Sequence, residues 1–141
     1  QLEGFPWGAS YESMEASVTA YEIGGSKLDG SKIYMTEQEY ELRGQNSSAE
    51  LIFYHGKLGD VCFHFTLAEG GEEWYAELLK ELTALYGEAE STERPAAIPG
   101  KAGSVEHLWK TDKTGLQLAS VTSGEKVSVE LNLLSREVAK W

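Results

Sequence analysis

Strict alternation of apolar and polar residues is the feature of this chain that most restricts its fold. From Val127 to Leu133 every odd-numbered residue is Val or Leu, with Ser128, Glu130 and Asn132 between them. Because successive side chains of a β-strand point to opposite faces, this segment predicts a strand with one buried and one solvated face. The chain is therefore expected to contain a sheet that is open to solvent on one side.

Six strands and two helices are predicted from the spacing of apolar residues. The strands are predicted within residues 33–43, 51–53, 61–67, 105–111, 116–122 and 127–134. The helices are predicted at residues 10–19 and 72–86, where the period is helical. Gly24 and Gly25 mark an irregular link, and residues 90–103 form a long loop that is a candidate binding element.

Turn length sets the pairing between the second and third predicted strands. A three-residue loop at His55, Gly56 and Lys57 would place Leu51 opposite Val61 on the same face. A two-residue loop would instead pair the apolar Leu51 with the acidic Asp60, so the three-residue loop is predicted. The apolar residues of 33–43 change parity, which predicts a bulge or bend in that strand.

The element order helix, three strands, helix, three strands predicts an α+β fold. We expect a two-layer sandwich, with an antiparallel sheet and both helices on one of its faces. A length of 141 residues is typical of a single domain covering residues 1–141. The similar order in residues 1–68 and 69–141 is compatible with tandem halves that arose by duplication.

Composition restricts the classes of partner and the cellular location. A net charge of −11 repels phosphate backbones and anionic lipid, so no nucleic acid partner is expected. No apolar stretch is long enough to span a membrane. The chain begins with Gln1, which suggests that a leader or lipid anchor has been removed and that membrane attachment, if any, used that anchor.

Few residues offer chemistry, and we predict no catalytic residues, no metal site and no cofactor. Cys62 and His64 share one side of a strand as a nucleophile and base would, but no third group or oxyanion donor is apparent. They are expected to face solvent or a partner. The other histidines, His55 and His107, fall at unrelated positions, so a three-histidine metal site is not expected.

Three acidic residues alternate on one predicted strand. Glu37, Glu39 and Glu41 would attract a cation or a basic partner, but acidic side chains also protect a sheet edge from unwanted pairing. A solvated edge is the preferred interpretation.

The outward face of the sheet is the predicted partner-binding surface. By parity it carries a mixture of apolar, aromatic and polar side chains, a composition that suits recognition of a partner. Cys62 is assigned to this face, and the predicted contact residues on it are Ile52, Tyr54, His64, Leu108, Lys110, Gln117, Glu130 and Asn132.

Several short motifs together resemble a known protein family. They are Phe-Pro-Trp-Gly-Ala-Ser at residues 5–10, Tyr-x-Leu-x-Gly at 40–44, Phe-Tyr-His-Gly-Lys-Leu at 53–58 followed by Phe-x-Phe at 63–65, Leu-Tyr-Gly at 85–87, and Trp-x-Thr-Asp at 109–112. The chain thereby resembles the small exported F-x-W-G-x-S proteins and lipoproteins of Gram-positive gut bacteria. That family is similar in architecture to the β-lactamase inhibitory protein.

The resemblance implies an exported or cell-surface module whose sheet presents a concave face to a protein partner. Together with the missing catalytic set, it predicts a non-enzymatic module that binds a protein or cell-envelope component through its open sheet face. The alternative is a small thiol enzyme or hydrolase centred on Cys62 and His64. Neither the partner's identity nor the oligomeric state follows from the sequence.

Overall fold

A computed structural model describes residues 5–94, 103–124 and 126–139. These residues form eight antiparallel strands that belong to one sheet. The strands are β1 (Ala20–Ser26), β2 (Ser31–Leu42), β3 (Gln45–Tyr54), β4 (Lys57–Leu67), β5 (Glu90–Arg94), β6 (Gly103–Lys110), β7 (Thr114–Ser123) and β8 (Lys126–Ser135). The predicted α+β sandwich of helix, three strands, helix, three strands is therefore wrong, because the fold is dominated by its sheet.

The strands follow one another in two meanders that meet at the centre of the sheet. Their order is β1-β2-β3-β4-β8-β7-β6-β5, so every pair except one joins strands that are consecutive in the chain. The exception is the antiparallel pair of β4 and β8, in which Cys62 lies opposite Asn132. The two meanders are thus joined through two central strands that are distant in sequence.

Two helices make up a small part of the described chain. α1 (Tyr11–Met14) is a single turn, with the Ser10 side chain accepting a hydrogen bond from the Ser13 amide. The predicted helix at 10–19 is therefore too long. Ser17 directs its hydroxyl to the carbonyl of Met14, and such side-chain bonds compete with helix continuation. α2 (Gly71–Tyr86) begins within one residue of the prediction and ends where it was predicted.

Two strands are absent from the sequence prediction. β1 occupies the predicted irregular link, and it lacks an apolar period because all of its residues except Ala20 are exposed. β5 occupies the first part of the predicted loop 90–103, where it pairs with β6. The remainder of that loop, residues 95–102, lies outside the described residues.

The turn between β3 and β4 combines a short loop with a bulge. Tyr54 pairs with Lys57, so the loop has two residues, and a register shift between Ile52 and Phe53 then inserts one extra residue in β4. This bulge restores the predicted pairing of Leu51 with Val61. The predicted register is confirmed, although the predicted three-residue loop is wrong. β2 also shows the expected irregularity, between Met35 and Glu39.

One face of the sheet is covered by α1, α2 and the N-terminal segment. The odd-numbered residues Val61, Phe63 and Phe65 of β4 are buried there, together with Leu131 of β8 and Leu78 of α2. This arrangement places the predicted apolar parity against the core. Among the described residues, no helix combines the length and hydrophobicity needed to cross a bilayer.

Candidate binding site on the open sheet face

The sheet face opposite the core carries a continuous row of side chains across all eight strands. We call this surface the open face. Directly paired residues of neighbouring strands point to the same side, so the pairing registers identify the members of the row. In order from β1 to β5 they are Tyr21, Met35, Glu50, Cys62, Asn132, Gln117, Leu108 and Glu90.

Two adjacent rows complete the centre of the open face. One contains Ile33, Ile52, Asp60, Leu134, Gly115 and Lys110, and the other contains His64, Glu130, Ala119 and Glu106. Seven of the eight predicted contact residues lie in the three rows. The eighth, Tyr54, lies at the end of β3, where its ring covers Gly59 beside Val138. Their role in partner binding stays a prediction.

Polar side chains of four neighbouring strands form a central polar network in these rows. Its members are Glu50, Cys62, His64, Glu130, Asn132 and Gln117. Glu50 Oε1 lies 3.3 Å from His64 Nε2, and the same nitrogen lies 3.3 Å from Cys62 Sγ. Cys62 Sγ is in turn 3.5 Å from Glu130 Oε1. The network therefore links β3 and β4 to β8.

Asn132 connects the network to β7. Its Nδ2 donates one hydrogen bond to Glu130 Oε1 at 2.8 Å and another to Gln117 Oε1 at 2.9 Å. The amide thus uses both of its protons and fixes the position of one Glu130 oxygen. The sulfur and that oxygen are consequently held close together on the paired strands.

Cys62 is buried, which corrects the expectation that it faces solvent. Its side belongs to the open face, but only 4% of the residue is accessible because its polar neighbours cover it. His64, in contrast, is exposed as predicted, with about half of its side chain accessible. Burial raises the pKa of the Cys62 thiol strongly, and the charges of Glu130 and Asp60 raise it further. The thiol is therefore protonated and not activated as a nucleophile.

Asp60 is a second buried acid on the open face. It is 8% exposed, and its Oδ1 has no hydrogen-bond partner among the residues that the structure describes. Burial raises the pKa of this carboxyl group to about 7, and the nearby Glu130 and Glu50 add to the effect. An unpaired oxygen at this depth is unusual, because buried polar atoms normally have a partner.

The three histidines do not meet. His55 occupies the β3–β4 turn with a positive φ and lies beside Gly30. His107 faces the core side, where its Nδ1 is 2.8 Å from the Tyr75 hydroxyl and burial lowers its pKa. His55, His64 and His107 thus lie in three separate surroundings.

The alternating acidic residues Glu37, Glu39 and Glu41 do not lie on an edge strand, since β2 pairs with both β1 and β3. All three are exposed. β1 pairs with β2 only from Ser31 to Thr36, however, so Glu39 and Glu41 lie beyond its end. The predicted acidic protection applies to this uncovered part of the strand.

A groove between α2 and β2 is a feature that the sequence analysis misses. It has a volume of about 710 Å³, and Tyr40, Leu42, Phe63 and Leu82 are among its lining residues. Leu85, which also lines it, is 67% exposed on a helix whose other leucines are more buried. The helical period places Leu85 on the core side, so periodicity gives no signal for this exposure.

Comparisons with protein-family models, with curated proteins and with solved structures found no match to this chain. The resemblance to the F-x-W-G-x-S proteins thus stays a prediction. The site has to be interpreted from its own geometry.

Proposed function

We propose that this protein is a non-enzymatic binding module whose open face holds a protein partner that presents basic side chains. The observation that carries the proposal is an excess of carboxylates on that face. Its three central rows contain the acidic residues Glu50, Asp60, Glu90, Glu106 and Glu130, against the basic residues Lys110 and His64.

The charge on the three central rows of the open face is predominantly negative. The ion pairs seen in the described residues join Arg43 to Glu77 and Glu81, away from this face, and Glu50 to His64. The net charge of −11 has the same sign and would steer a basic partner toward the molecule. Charge complementarity of this kind favours both the rate and the specificity of association.

Apolar side chains flank the acidic centre on both sides. Tyr21 in β1 is 52% exposed and Val121 in β7 is 44% exposed. Met35 lies between Tyr21 and Glu50, and Leu108 on β6 lies beside Gln117 on the other side of the centre; each is partly exposed. Partly apolar surroundings exclude water from charged contacts, as expected for a protein–protein interface.

The competing thiol enzyme has one observation in its favour, the 3.3 Å contact between Cys62 Sγ and His64 Nε2. The nearby carboxylates and the burial of Cys62 oppose it, because both raise the pKa of the thiol. A nucleophilic cysteine requires the reverse shift. Binding without catalysis is therefore the better-supported proposal. The proposal includes an exported or cell-surface location, which is supported only by the family resemblance of motifs such as those at residues 5–10 and 53–58.

A charge-matched comparison of two triple variants tests the proposal. The first, Glu50→Gln, Glu106→Gln and Glu130→Gln, removes three carboxylates of the open face. The second, Glu12→Gln, Glu69→Gln and Glu88→Gln, removes three exposed carboxylates elsewhere. The probe is a synthetic peptide of alternating Lys and Val residues, and its dissociation constant is measured at low and at physiological salt.

The open-face variant should bind the peptide at least about tenfold more weakly than the wild type, which corresponds to about 1.4 kcal/mol. The second variant has the same net charge as the open-face variant but keeps the carboxylates of the open face. Its affinity should therefore stay within about threefold of that of the wild type. Equal losses in the two variants would show that attraction is a property of the whole surface. No binding by the wild type, or tighter binding of a Glu-Val peptide, would also contradict the proposal.

A further inference from the structure

We infer that Cys62, His64, Glu130 and Glu50 form a binding site for a zinc ion on the open face. The donor atoms are Cys62 Sγ, His64 Nε2 and one carboxylate oxygen from each glutamate. The donors of Cys62, His64 and Glu130 all lie within 4.8 Å of one another. Nothing in the partner-binding proposal is needed for this inference, because it concerns the isolated protein and a metal ion.

Three of the six distances between the four donors are close to the edges of a zinc coordination tetrahedron. Zinc bonds of about 2.3 Å to sulfur and about 2.0–2.2 Å to nitrogen or oxygen imply donor separations of about 3.3–3.6 Å. The structure places Cys62 Sγ 3.3 Å from His64 Nε2 and 3.5 Å from Glu130 Oε1. Glu50 Oε1 is 3.3 Å from His64 Nε2. Rotation of the exposed His64 ring can shorten the separation between its Nε2 and the Glu130 carboxylate, whereas the Glu50 side chain would have to move to approach Cys62 and Glu130.

The kinds of donor select zinc over the hard cations. A thiolate and an imidazole suit zinc and other borderline-soft metals, whereas calcium and magnesium prefer ligand sets made of oxygen. Zinc would displace the proton of the Cys62 thiol into solvent, and the thiolate with two carboxylates would then carry three negative charges against the two positive charges of the ion. The site therefore combines a suitable geometry with suitable chemistry.

Neighbouring groups hold the donors in place. Asn132 donates to Glu130 Oε1 at 2.8 Å, and Gln117 in turn accepts from Asn132 at 2.9 Å. Such outer hydrogen bonds orient metal ligands and commonly affect metal affinity. Because β4 and β8 are paired in the centre of the sheet, the backbone positions of Cys62 and Glu130 are also fixed. The exposed His64 leaves an entry path from solvent.

A buried carboxyl group lies next to the proposed donors on the same strand face. Asp60 is two residues before Cys62 on the same strand face, is 8% exposed, and has no hydrogen-bond partner for Oδ1 among the described residues. Together with Glu50 and Glu130, it makes this part of the open face acidic. A bound divalent cation would compensate this charge. The sequence-based prediction of no metal site is thereby replaced by a testable alternative.

Titration of zinc into the reduced, chelator-treated protein tests the site. Zinc affinity is measured by calorimetry for the wild type, His64→Ala and Cys62→Ser, with His55→Ala as the matched histidine control. His64→Ala and Cys62→Ser each remove a ligand and should weaken zinc binding by more than about 100-fold, whereas His55→Ala should leave it unchanged. Asn132→Ala removes an outer hydrogen-bond partner and should weaken zinc binding by about 10–100-fold. Cobalt bound to the wild type should give a thiolate charge-transfer band that is missing from Cys62→Ser.

Thermal unfolding in chelator separates loss of the site from loss of the fold. His64 is exposed, so His64→Ala should unfold within a few degrees of the wild type and remains informative even if Cys62→Ser is unstable. The inference is overturned if wild-type protein does not bind zinc, if His64→Ala binds it as tightly as the wild type, or if His55→Ala loses as much affinity as His64→Ala. Each of these results leaves the peptide experiment on the open face unaffected.

Discussion

Replacement of Asp60 by Asn should stabilise the protein in neutral and alkaline solution but not in acid. The carboxyl group is 8% exposed and its pKa is raised from 3.8 to about 7 by burial and by the nearby glutamates. The folded state therefore binds the Asp60 proton more tightly than the unfolded state does. The free energy of unfolding contributed by Asp60 is highest below about pH 4 and falls as the pH rises to about 7, above which the loss is complete.

The size of the effect follows from the difference between the two pKa values. From 3.8 to about 7 is a shift of about three pH units. At about 1.4 kcal/mol per unit, ionised Asp60 destabilises the fold by at most about 4 kcal/mol. Asparagine has nearly the same shape and carries no charge, but its amide protons also need partners in this buried position. The expected gain for Asp60→Asn at about pH 8 is therefore about 1–4 kcal/mol.

Urea unfolding of both proteins at about pH 4 and about pH 8 measures this difference. A chelator in all samples removes any contribution from bound metal, and Glu39→Gln serves as an exposed control on β2. The two proteins should differ much more at the higher pH, while the control should stay within about 0.5 kcal/mol of the wild type at both. If wild type and Asp60→Asn differ by the same amount at the two pH values, the buried charge does not destabilise the fold and the reasoning is wrong.

Three further predictions follow from burial and close packing. In urea unfolding, Leu131→Ala should lower the free energy of unfolding by about 2–5 kcal/mol, whereas Leu85→Ala, at an exposed position, should change it by less than about 0.5 kcal/mol. Similar losses in the two variants would contradict the assigned core. Gly59→Ala should destabilise by about 1–3 kcal/mol, because its Cβ would lie 2.6 Å from the Tyr54 ring, and unchanged stability would disprove this contact. Cys62 of the metal-free protein should react with iodoacetamide more slowly than a free thiol, and faster alkylation would revive the thiol enzyme.

The buried side of the sheet could be predicted because alternation in sequence translates directly into a face. The burial of Phe63 follows from parity alone, whereas the pairing of Leu51 with Val61 is predicted from a loop length that is wrong and arises through the bulge. β1 could not be found in this way. Its residues from Tyr21 onward are all exposed and include two adjacent glycines, so it is held by backbone hydrogen bonds to β2 without an apolar face of its own.

Parity assigns a side chain to a face, but it does not give the exposure of that side chain. Cys62 and His64 share the open face, yet one is buried and the other is exposed, because Cys62 has Glu50 and Asn132 directly opposite it on either side. The first of these neighbours follows from the predicted pairing of Leu51 with Val61. The second requires the pairing of β4 with β8, which no local pattern encodes. For that reason the central polar network could be seen only in the structure.

The position of the β4–β8 pair has a consequence for how the chemistry of this molecule comes into being. This pair is the sole strand pairing in the described sheet between the first and second halves of the chain, and the network draws Cys62 and His64 from one half and Glu130 and Asn132 from the other. Neither meander can build the network by itself. Because non-local strand pairing requires closure of a long loop, we expect the network to form after the local hairpins, and a protein split in the segment between β4 and β5 should regain it only through complementation of its fragments.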